Sequence, residues 1–451
     1  MVERLTRNEQ VKGSSPLGGS NNKSGSSSVG RARASQVRSR GFESRLPLFN
    51  FFIMKTNPYL KIFKQLPKDP QERIRQSMRS LIENGDFRFD IHTHIFNREY
   101  IPNKYFEIRM PYLVNTDFLE YVDEIFTQLG EISEGEDLLN YALFIDFATR
   151  HSMENIAEYL INNSPKNTIF VVIALDLFQS IEGKVKKEYI QQLEDTAKIR
   201  DKFPSLILPF FEVNPTNPDI DYIIEKAFLE YGFFGIKIYP SLGYLPSHPK
   251  LMQLYELCEE WNVPIITHSA FSNLHTTRNL IPLEYFTINQ KGQPYKISQK
   301  KLFLFKKQYI NFFNNPKNWE VVLKTFPNLR INFSHIGGVN DWDGRVKTDI
   351  NWSFRIFDFM ERYKNIFSDI SYTFYIDTFV ELLTTILYRN KLLGERILFG
   401  TDFYMIMEKG KYKNIRSKFV LSVGSKLMEK ISVENPLRFL GLEKLIKNKY
   451  D

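Results

Sequence analysis

From residue 55 onward, short runs of β-branched and aromatic residues alternate with longer amphipathic stretches. This alternation is the pattern of a parallel sheet or barrel built from βα units. Most runs are almost continuously apolar, as expected of strands that are covered on both faces. A further run, residues 141–147, is interpreted as helix because no turn signal separates it from its neighbours. The pattern predicts eight strands, at residues 87–93, 168–176, 206–213, 234–240, 263–268, 330–336, 366–371 and 396–402.

Two connections between these strands are too long for simple loops. We expect residues 95–167, after the first strand, to form a mostly helical insertion. Residues 269–329, after the fifth strand, should contain a loop with Gly292 and Pro294, followed by an aromatic, lysine-rich helix around residues 302–313. Loops at the C-terminal ends of barrel strands form the active-site mouth, so both insertions would act as lids or substrate walls.

The net charge of +8 is concentrated at the N-terminus. Residues 1–53 contain nine Lys or Arg and three Glu, which leaves the remaining chain at only +2. A nearly neutral body predicts neither nucleic-acid nor membrane-surface binding. No apolar run approaches the roughly 20 residues that span a bilayer.

The chain has a single cysteine, Cys258, which excludes a disulfide within the chain and favours a reducing, cytoplasmic location. We interpret this cysteine as a small buried hydrophobic residue.

Residues 1–53 differ in composition from the rest of the chain. They are rich in Ser, Gly and Arg without any sustained period, which predicts disorder. Residues 13–16 and 41–44 match what two reading frames of a transfer-RNA T-arm would encode. We therefore expect an over-extended gene prediction with a true start at Met54, and one domain over residues 54–451. A targeting peptide is the alternative, because the segment is Arg- and Ser-rich and acid-poor.

The chemistry of the chain is first suggested by His92 and His94, which end the first predicted strand. Residues i and i+2 of a strand point to the same face, so both imidazoles converge on one point. A metal ion is the usual reason to place two neutral nitrogen donors together. Such a pair alone is a weak signal, but His268, His335 and Asp402 also end predicted strands. In a closed barrel these strand ends meet at the C-terminal mouth.

Seven stretches of the chain follow one another in a characteristic order: Asp90–His94, Gly235–Pro240, Leu254–His268, Phe326–Gly338, Asn365–Ser371, Arg396–Asp402 and Glu434–Gly441. Together they resemble the amidohydrolase superfamily, in particular its amidohydrolase-related (family 2) branch, over roughly residues 85–442. The resemblance implies an α/β fold, a distorted (β/α)8 TIM barrel with helical insertions after strands 1 and 5. It also implies one or two divalent metal ions; zinc suits a nitrogen-rich site, with manganese and iron as alternatives.

The resemblance also implies roles for the strand-end residues. His92, His94, His268 and Asp402 would bind metal, and Asp402 would also accept the proton of the attacking water. His335 would either bind a second metal or polarise a substrate carbonyl. The structural alternative for each histidine is an ordinary hydrogen-bonded strand end, and for Asp402 an N-cap of the following helix.

Lys237, in the fourth predicted strand, has three possible roles. Strand alternation places it on the face of Gly235 and Tyr239, which we interpret as the inner face. Its position resembles the lysine that binuclear relatives carbamylate, a modification that burial would favour by lowering the amine pKa. Anion binding and a structural ion pair are the alternatives.

His248, in a Ser-His-Pro sequence, is interpreted as a capping residue at the entry to a helix. The candidate substrate contacts are Tyr239, His275, Arg278, Trp342 and Arg345.

Three functions are compatible with this sequence. The first is hydrolysis of a small-molecule amide, lactone or ester by metal-activated water. The second is a lyase reaction on the same barrel, either non-oxidative decarboxylation or hydration of an aromatic or unsaturated acid. The third is a barrel that is retained only for binding, which predicts no stoichiometric metal. The expected partner is a small-molecule substrate, and homo-oligomerisation is left open.

Overall fold

The predicted apolar runs form parallel strands of one eight-stranded sheet. The structure is a computed structural model that describes residues 57–74, 78–105, 147–270, 274–277, 286–288, 294–296, 312–342 and 351–447. Its strands are β1 (Arg88–Thr93), β2 (Thr168–Ala174), β3 (Ile207–Glu212), β4 (Gly235–Ile238), β5 (Ile265–Thr267), β6 (Phe286–Ile288), β7 (Pro294–Lys296), β8 (Ile331–Phe333), β9 (Ile366–Asp369) and β10 (Ile397–Leu398). The order in the large sheet is β1-β2-β3-β4-β5-β8-β9-β10. All eight strands predicted from the sequence are therefore present.

Two backbone hydrogen bonds join the last strand of this sheet to the first. The N–H of Ile91 donates to the carbonyl of Phe399 at 2.9 Å, and the N–H of Asp402 donates to the carbonyl of His92 at 2.7 Å. The sheet is thereby closed into a (β/α)8 barrel, which confirms the predicted fold class. Closure also brings the metal-type residues of β1 next to those that follow β10.

Helices follow the barrel strands as the βα pattern predicts. Before β1 they span Leu60–Phe63, Pro70–Ile74 and Arg79–Asn84. From β1 to β5 they span Arg98–Tyr100, Met153–Asn162, Leu177–Ser180, Tyr189–Lys202, Ile220–Glu225, Lys226–Glu230, Pro240–Leu242 and Pro249–Glu260. From β7 to β10 they span Pro316–Trp319, Glu320–Thr325, Ser334–Gly337, Val339–Trp342, Trp352–Arg362, Asp377–Arg389 and Lys391–Gly394. After β10 they span Phe403–Ile406, Met407–Lys409, Tyr412–Val423, Ser425–Glu429, Lys430–Glu434, Asn435–Leu440 and Lys444–Lys447.

The insertion after β5 differs from its prediction. Where a loop with Pro294 was expected, β6 and β7 form an antiparallel pair, and Pro294 begins β7. The aromatic and β-branched residues of β6 favour strand structure, and two such short segments can pair across a brief connection. Of the predicted lysine-rich helix, only residues 312 and 313 lie in the described part, and they are helical. Residues 1–53 and 106–146 lie outside it, so the predictions for the N-terminal segment and for most of the first insertion stay predictions.

Apolar side chains fill the space around the barrel strands. All seven residues of β2 and all six of β3 are buried, as their almost continuous apolar sequence predicts. Cys258 is buried within the helix Pro249–Glu260, and burial raises the pKa of its thiol, which fits its interpretation as a small core residue. Among the described helices, none combines the length and apolarity needed to cross a membrane.

Candidate metal centre

Six chemically active side chains meet at the C-terminal mouth of the barrel. His92 lies in β1 and His94 follows it, while Lys237 lies in β4. The other three are His268 after β5, His335 after β8 and Asp402 after β10. All six are at least nine-tenths buried. The parallel strands thus deliver residues that are up to 310 positions apart in the chain to one enclosed volume.

His92, His94 and Asp402 form a compact group of possible metal ligands. One ligand atom from each lies within 4.8 Å of the others, and His94 Nε2 is 3.6 Å from Asp402 Oδ1. The Nδ1–H of His94 donates to the carbonyl of Ile173 at 2.9 Å, which leaves a lone pair on Nε2. Asp402 adopts a left-handed backbone (φ 53°), and its N–H is bonded to the His92 carbonyl. This backbone geometry presents the carboxylate to the histidine pair.

His335 and His268 are joined by a hydrogen bond between their rings. His335 Nδ1 lies 3.0 Å from the carbonyl of Ser371, which can only accept, so this nitrogen carries the proton. Its Nε2 then accepts from His268 Nδ1–H at 3.2 Å, and the lone pair of His268 is on Nε2. Tyr239 stacks on the His268 ring with centroids 4.1 Å apart. The ring of His268 is therefore held from two sides.

The donor set fits a divalent cation. Among the described residues, His268 Nε2 and Asp402 Oδ1 are buried polar atoms without a hydrogen-bond partner. Such atoms are costly unless a ligand satisfies them. Burial lowers the pKa of His92 to about 4 and that of His335 to about 3, and holds the pKa values of His94 and His268 well below their usual range. The imidazoles are consequently neutral at pH 7, which is the form that binds metals.

A comparison with protein families identifies the family of this chain. The Amidohydro_2 model, described as amidohydrolase, matches residues 185–442, which is more than half of the chain. The chain belongs to the amidohydrolase family. The match also covers the strand-end residues from Lys237 to Asp402, whereas His92 and His94 precede it. No curated protein sequence matches the chain.

Solved structures that resemble this chain do so at low sequence identity. A 2,6-dihydroxybenzoate decarboxylase complexed with 2,6-dihydroxybenzoate is 14% identical, with a TM-score of 0.42, over 78% of this chain and 99% of its own. An uncharacterised TIM-barrel protein from Bordetella bronchiseptica is 16% identical, with a TM-score of 0.45, over 79% and 99%. The IDCase of Metarhizium anisopliae in apo form is 16% identical, with a TM-score of 0.44, over 80% and 99%.

Lys237 reaches into the same volume. Its Nζ lies 3.5 Å from His92 Nε2 and 3.3 Å from Ser334 Oγ. Burial lowers the pKa of this amine to about 8. No carboxylate of the described residues lies within ion-pair distance of it, but Asp369, Asp402 and Glu212 are close enough to oppose this lowering of its pKa. The structural ion pair therefore stays a prediction. Carbamylation and anion binding stay predictions.

Sequence reasoning missed Asp369, the last residue of β9. This carboxylate is completely buried and lies 3.1 Å from His92 Nδ1. The His92 imidazole and other hydrogen-bond donors hold its pKa below its usual range, against the opposing effect of burial. The available signal was its position, because it ends a predicted strand just as Asp402 does. Asp369 lies within the Asn365–Ser371 stretch, for which the sequence alone indicates no separate role.

Three of the five predicted substrate contacts lie among the described residues. Tyr239 lies against His268 inside the mouth, and His275 lies in the short described segment 274–277. Trp342 donates its indole N–H to the carbonyl of Ile336 at 2.9 Å and packs on Phe379, so its visible contacts support the turn after β8. The remaining two predicted contacts, Arg278 and Arg345, lie outside the described residues.

His248 has the structural role that the sequence predicts. It is the N-cap of the helix Pro249–Glu260, and its Nδ1 accepts a hydrogen bond from the N–H of Lys250 at 3.3 Å. Burial lowers its pKa to about 4. It is therefore a neutral capping residue and not part of the metal-ligand group.

Proposed function

We propose that this amidohydrolase-family protein is a metal-dependent hydrolase of a small-molecule amide, lactone or ester. The observation that carries the proposal is the convergence of His92, His94 and Asp402, with unpaired lone pairs on Asp402 Oδ1 and His268 Nε2. Three imidazole nitrogens and one carboxylate oxygen suit zinc best among the common divalent metals.

Each side chain has a distinct task in this proposal. His92, His94, His268 and Asp402 would hold the metal, which when bound lowers the pKa of a coordinated water and polarises a carbonyl oxygen. Asp402 accepts the proton of the attacking water and returns it to the leaving group. Burial raises the pKa of this carboxyl to about 7 in the metal-free protein, so it is a stronger proton acceptor than an ordinary aspartate. His335 Nε2 accepts a hydrogen bond from His268 Nδ1, so His335 would orient the His268 ring.

Elemental analysis and one substitution test the proposal. Purified protein should contain stoichiometric divalent metal. Asp402→Asn keeps the shape of the side chain but removes the proton acceptor, and general-base loss typically costs about 10²–10⁴ in rate. Turnover should fall by that amount while part of the metal is retained. Asp377→Asn, in an exposed ion pair with Lys418, is the control and should be active. Wild-type turnover in Asp402→Asn, or absence of metal, would refute the proposal.

Non-oxidative decarboxylation of an aromatic or unsaturated acid is the second candidate. It is favoured by Lys237, a buried amine that faces the ligand group and has no carboxylate of the described residues within ion-pair distance. Such a cation would suit the carboxylate of an acidic substrate. A screen should follow lactone, ester and amide hydrolysis in parallel with carbon dioxide release from aromatic acids. Carbon dioxide release without any hydrolysis, together with a raised KM in Lys237→Gln, would decide for the lyase.

A further inference from the structure

Asp369 accepts hydrogen bonds from five donors that surround the candidate metal centre. Its Oδ2 accepts from His92 Nδ1 at 3.1 Å and from Asn332 Nδ2 at 2.7 Å. Its Oδ1 accepts from the backbone N–H of His335 at 3.0 Å, the N–H of Ser371 at 3.1 Å and the Ser371 hydroxyl. We propose that Asp369 is a positioning residue, which sets the tautomers of the histidines so that their free lone pairs face the metal site.

These donors leave Asp369 little capacity to bind a cation itself. A carboxylate offers about four lone-pair positions, and five donors already occupy them. Asp369, His92 and His335 do lie close enough together to form a second group of possible metal ligands. In this group, however, the lone pairs of Asp369 are directed at protons. The group therefore supports the first ligand group, as hydrogen-bonded partners of metal-binding histidines commonly do.

The first consequence concerns His92. The Ser371 hydroxyl gives its only proton to Asp369, so its oxygen can only accept from His92 Nδ1, at 3.1 Å. Asp369 Oδ2 likewise accepts from the same nitrogen. Nδ1 must then carry the proton, and Nε2, which lies toward Lys237, is the ring nitrogen with a lone pair. The carboxylate thus selects the tautomer that a metal ligand needs.

The second consequence concerns His335 and, through it, His268. The N–H of His335 is bonded to Asp369 although His335 and Ile336 both have left-handed backbones, with φ 66° and 46°. This conformation is unfavourable for residues other than glycine and needs compensating contacts. Asp369 also holds Ser371, whose carbonyl orients the His335 ring. His335 in turn directs the Nδ1–H of His268 away from the site. One carboxylate therefore organises three imidazoles.

The substitution Asp369→Asn tests this assignment. The amide oxygen can keep the His335 and Ser371 N–H bonds, but its NH₂ group then faces His92 Nδ1. His92 must shift to the tautomer with the proton on Nε2 and the lone pair on Nδ1. We expect this shift in the ¹⁵N spectrum of metal-free, ¹⁵N-histidine-labelled protein, where only seven histidines contribute. His92→Gln identifies the signal. Zn²⁺ affinity, measured by chelator competition, should fall about 10- to 100-fold.

Glu212→Gln is the matched control. Glu212 is an equally buried carboxyl at the end of β3, bonded to the N–H of Asp176 at 2.9 Å and to the Tyr244 hydroxyl at 3.1 Å. A hydroxyl can reverse its role and accept from the new amide, so Zn²⁺ affinity and the His92 tautomer should not change.

The role given to Asp369 rests on the proposed metal site. The tautomer of His92 in the metal-free protein, however, can be measured whether or not that site binds metal. A wild-type His92 with its proton on Nε2 overturns the proposal even if Asp369→Asn does not fold. Unchanged tautomer and Zn²⁺ affinity in a folded Asp369→Asn also overturn it. Absence of Zn²⁺ binding in the wild type would instead refute the proposed function.

Discussion

Gly400, where β10 meets β1, should be intolerant of even one added methyl group. A Cβ at this position would lie 2.9 Å from His92 Cβ, 3.2 Å from the His92 backbone nitrogen and 3.3 Å from Ser371 Cβ. Carbon atoms in optimal contact are about 3.5–4.0 Å apart, so the strands would have to separate by roughly 0.5–1 Å. The contacted atoms belong to or adjoin the backbone, and no side-chain rotation relieves the contact. Overpacking of this kind costs about 1–3 kcal/mol.

The same displacement would act on the site, because the displaced atoms are those of His92. We expect Gly400→Ala to lower the free energy of unfolding by about 1–3 kcal/mol in urea titrations. A misplacement of about 1 Å can cost 10²-fold in turnover, and Zn²⁺ binding should weaken as well. Both measurements should be made on the same preparation, with unfolding followed after the metal has been removed.

Gly424→Ala separates this effect from general destabilisation. Gly424 has φ 76°, and nothing lies within 4 Å of a Cβ built there. Alanine should cost about 1–3 kcal/mol, because φ 76° with ψ 163° is a backbone conformation that essentially only glycine adopts, while Zn²⁺ affinity and turnover stay at the wild-type level. If Gly400→Ala is as stable and as active as the wild type, the close contact between β10 and β1 does not exist. If both variants lose metal equally, the loss reflects stability alone.

Two further predictions concern buried titratable groups outside the ligand set. Burial lowers the pKa of His248 from 6.5 to about 4. Between these pH values His248 binds a proton in the unfolded chain but not in the folded protein, so the free energy of unfolding decreases as the pH is lowered. His248→Asn keeps a capping acceptor and should lose about 2 kcal/mol less stability than the wild type between pH 8 and pH 5 in urea titrations; equal losses would contradict this reasoning. Cys258 is buried and burial raises its thiol pKa, so Ellman's reagent should label it only after unfolding. Rapid labelling of the native protein would indicate an accessible thiol.

The barrel and the meeting of its strand-end residues could be predicted from the sequence for one physical reason. Parallel strands that are covered on both faces are continuously apolar, so a histidine or aspartate that ends such a run is conspicuous. His92, His268 and Asp402 all stand out in this way, and parallel topology brings such ends together. The pair β6 and β7 was missed because each strand has only three residues, which is too short for a period to be recognised.

Asp369 also ends an apolar run, yet its role could not be predicted in the same way. Strand position says that a residue faces the mouth, but not whether its lone pairs meet protons or a cation. That distinction depends on which donors surround it, and they come from β1, β8, the turn after β8 and the segment after β9. The left-handed turn that directs one of these donors, the His335 N–H, continues into Ile336, a β-branched residue that gives no sequence signal for positive φ. The tautomers of the centre are thus set by contacts between distant segments, which is why a local pattern can identify the ligands but not the group that orients them.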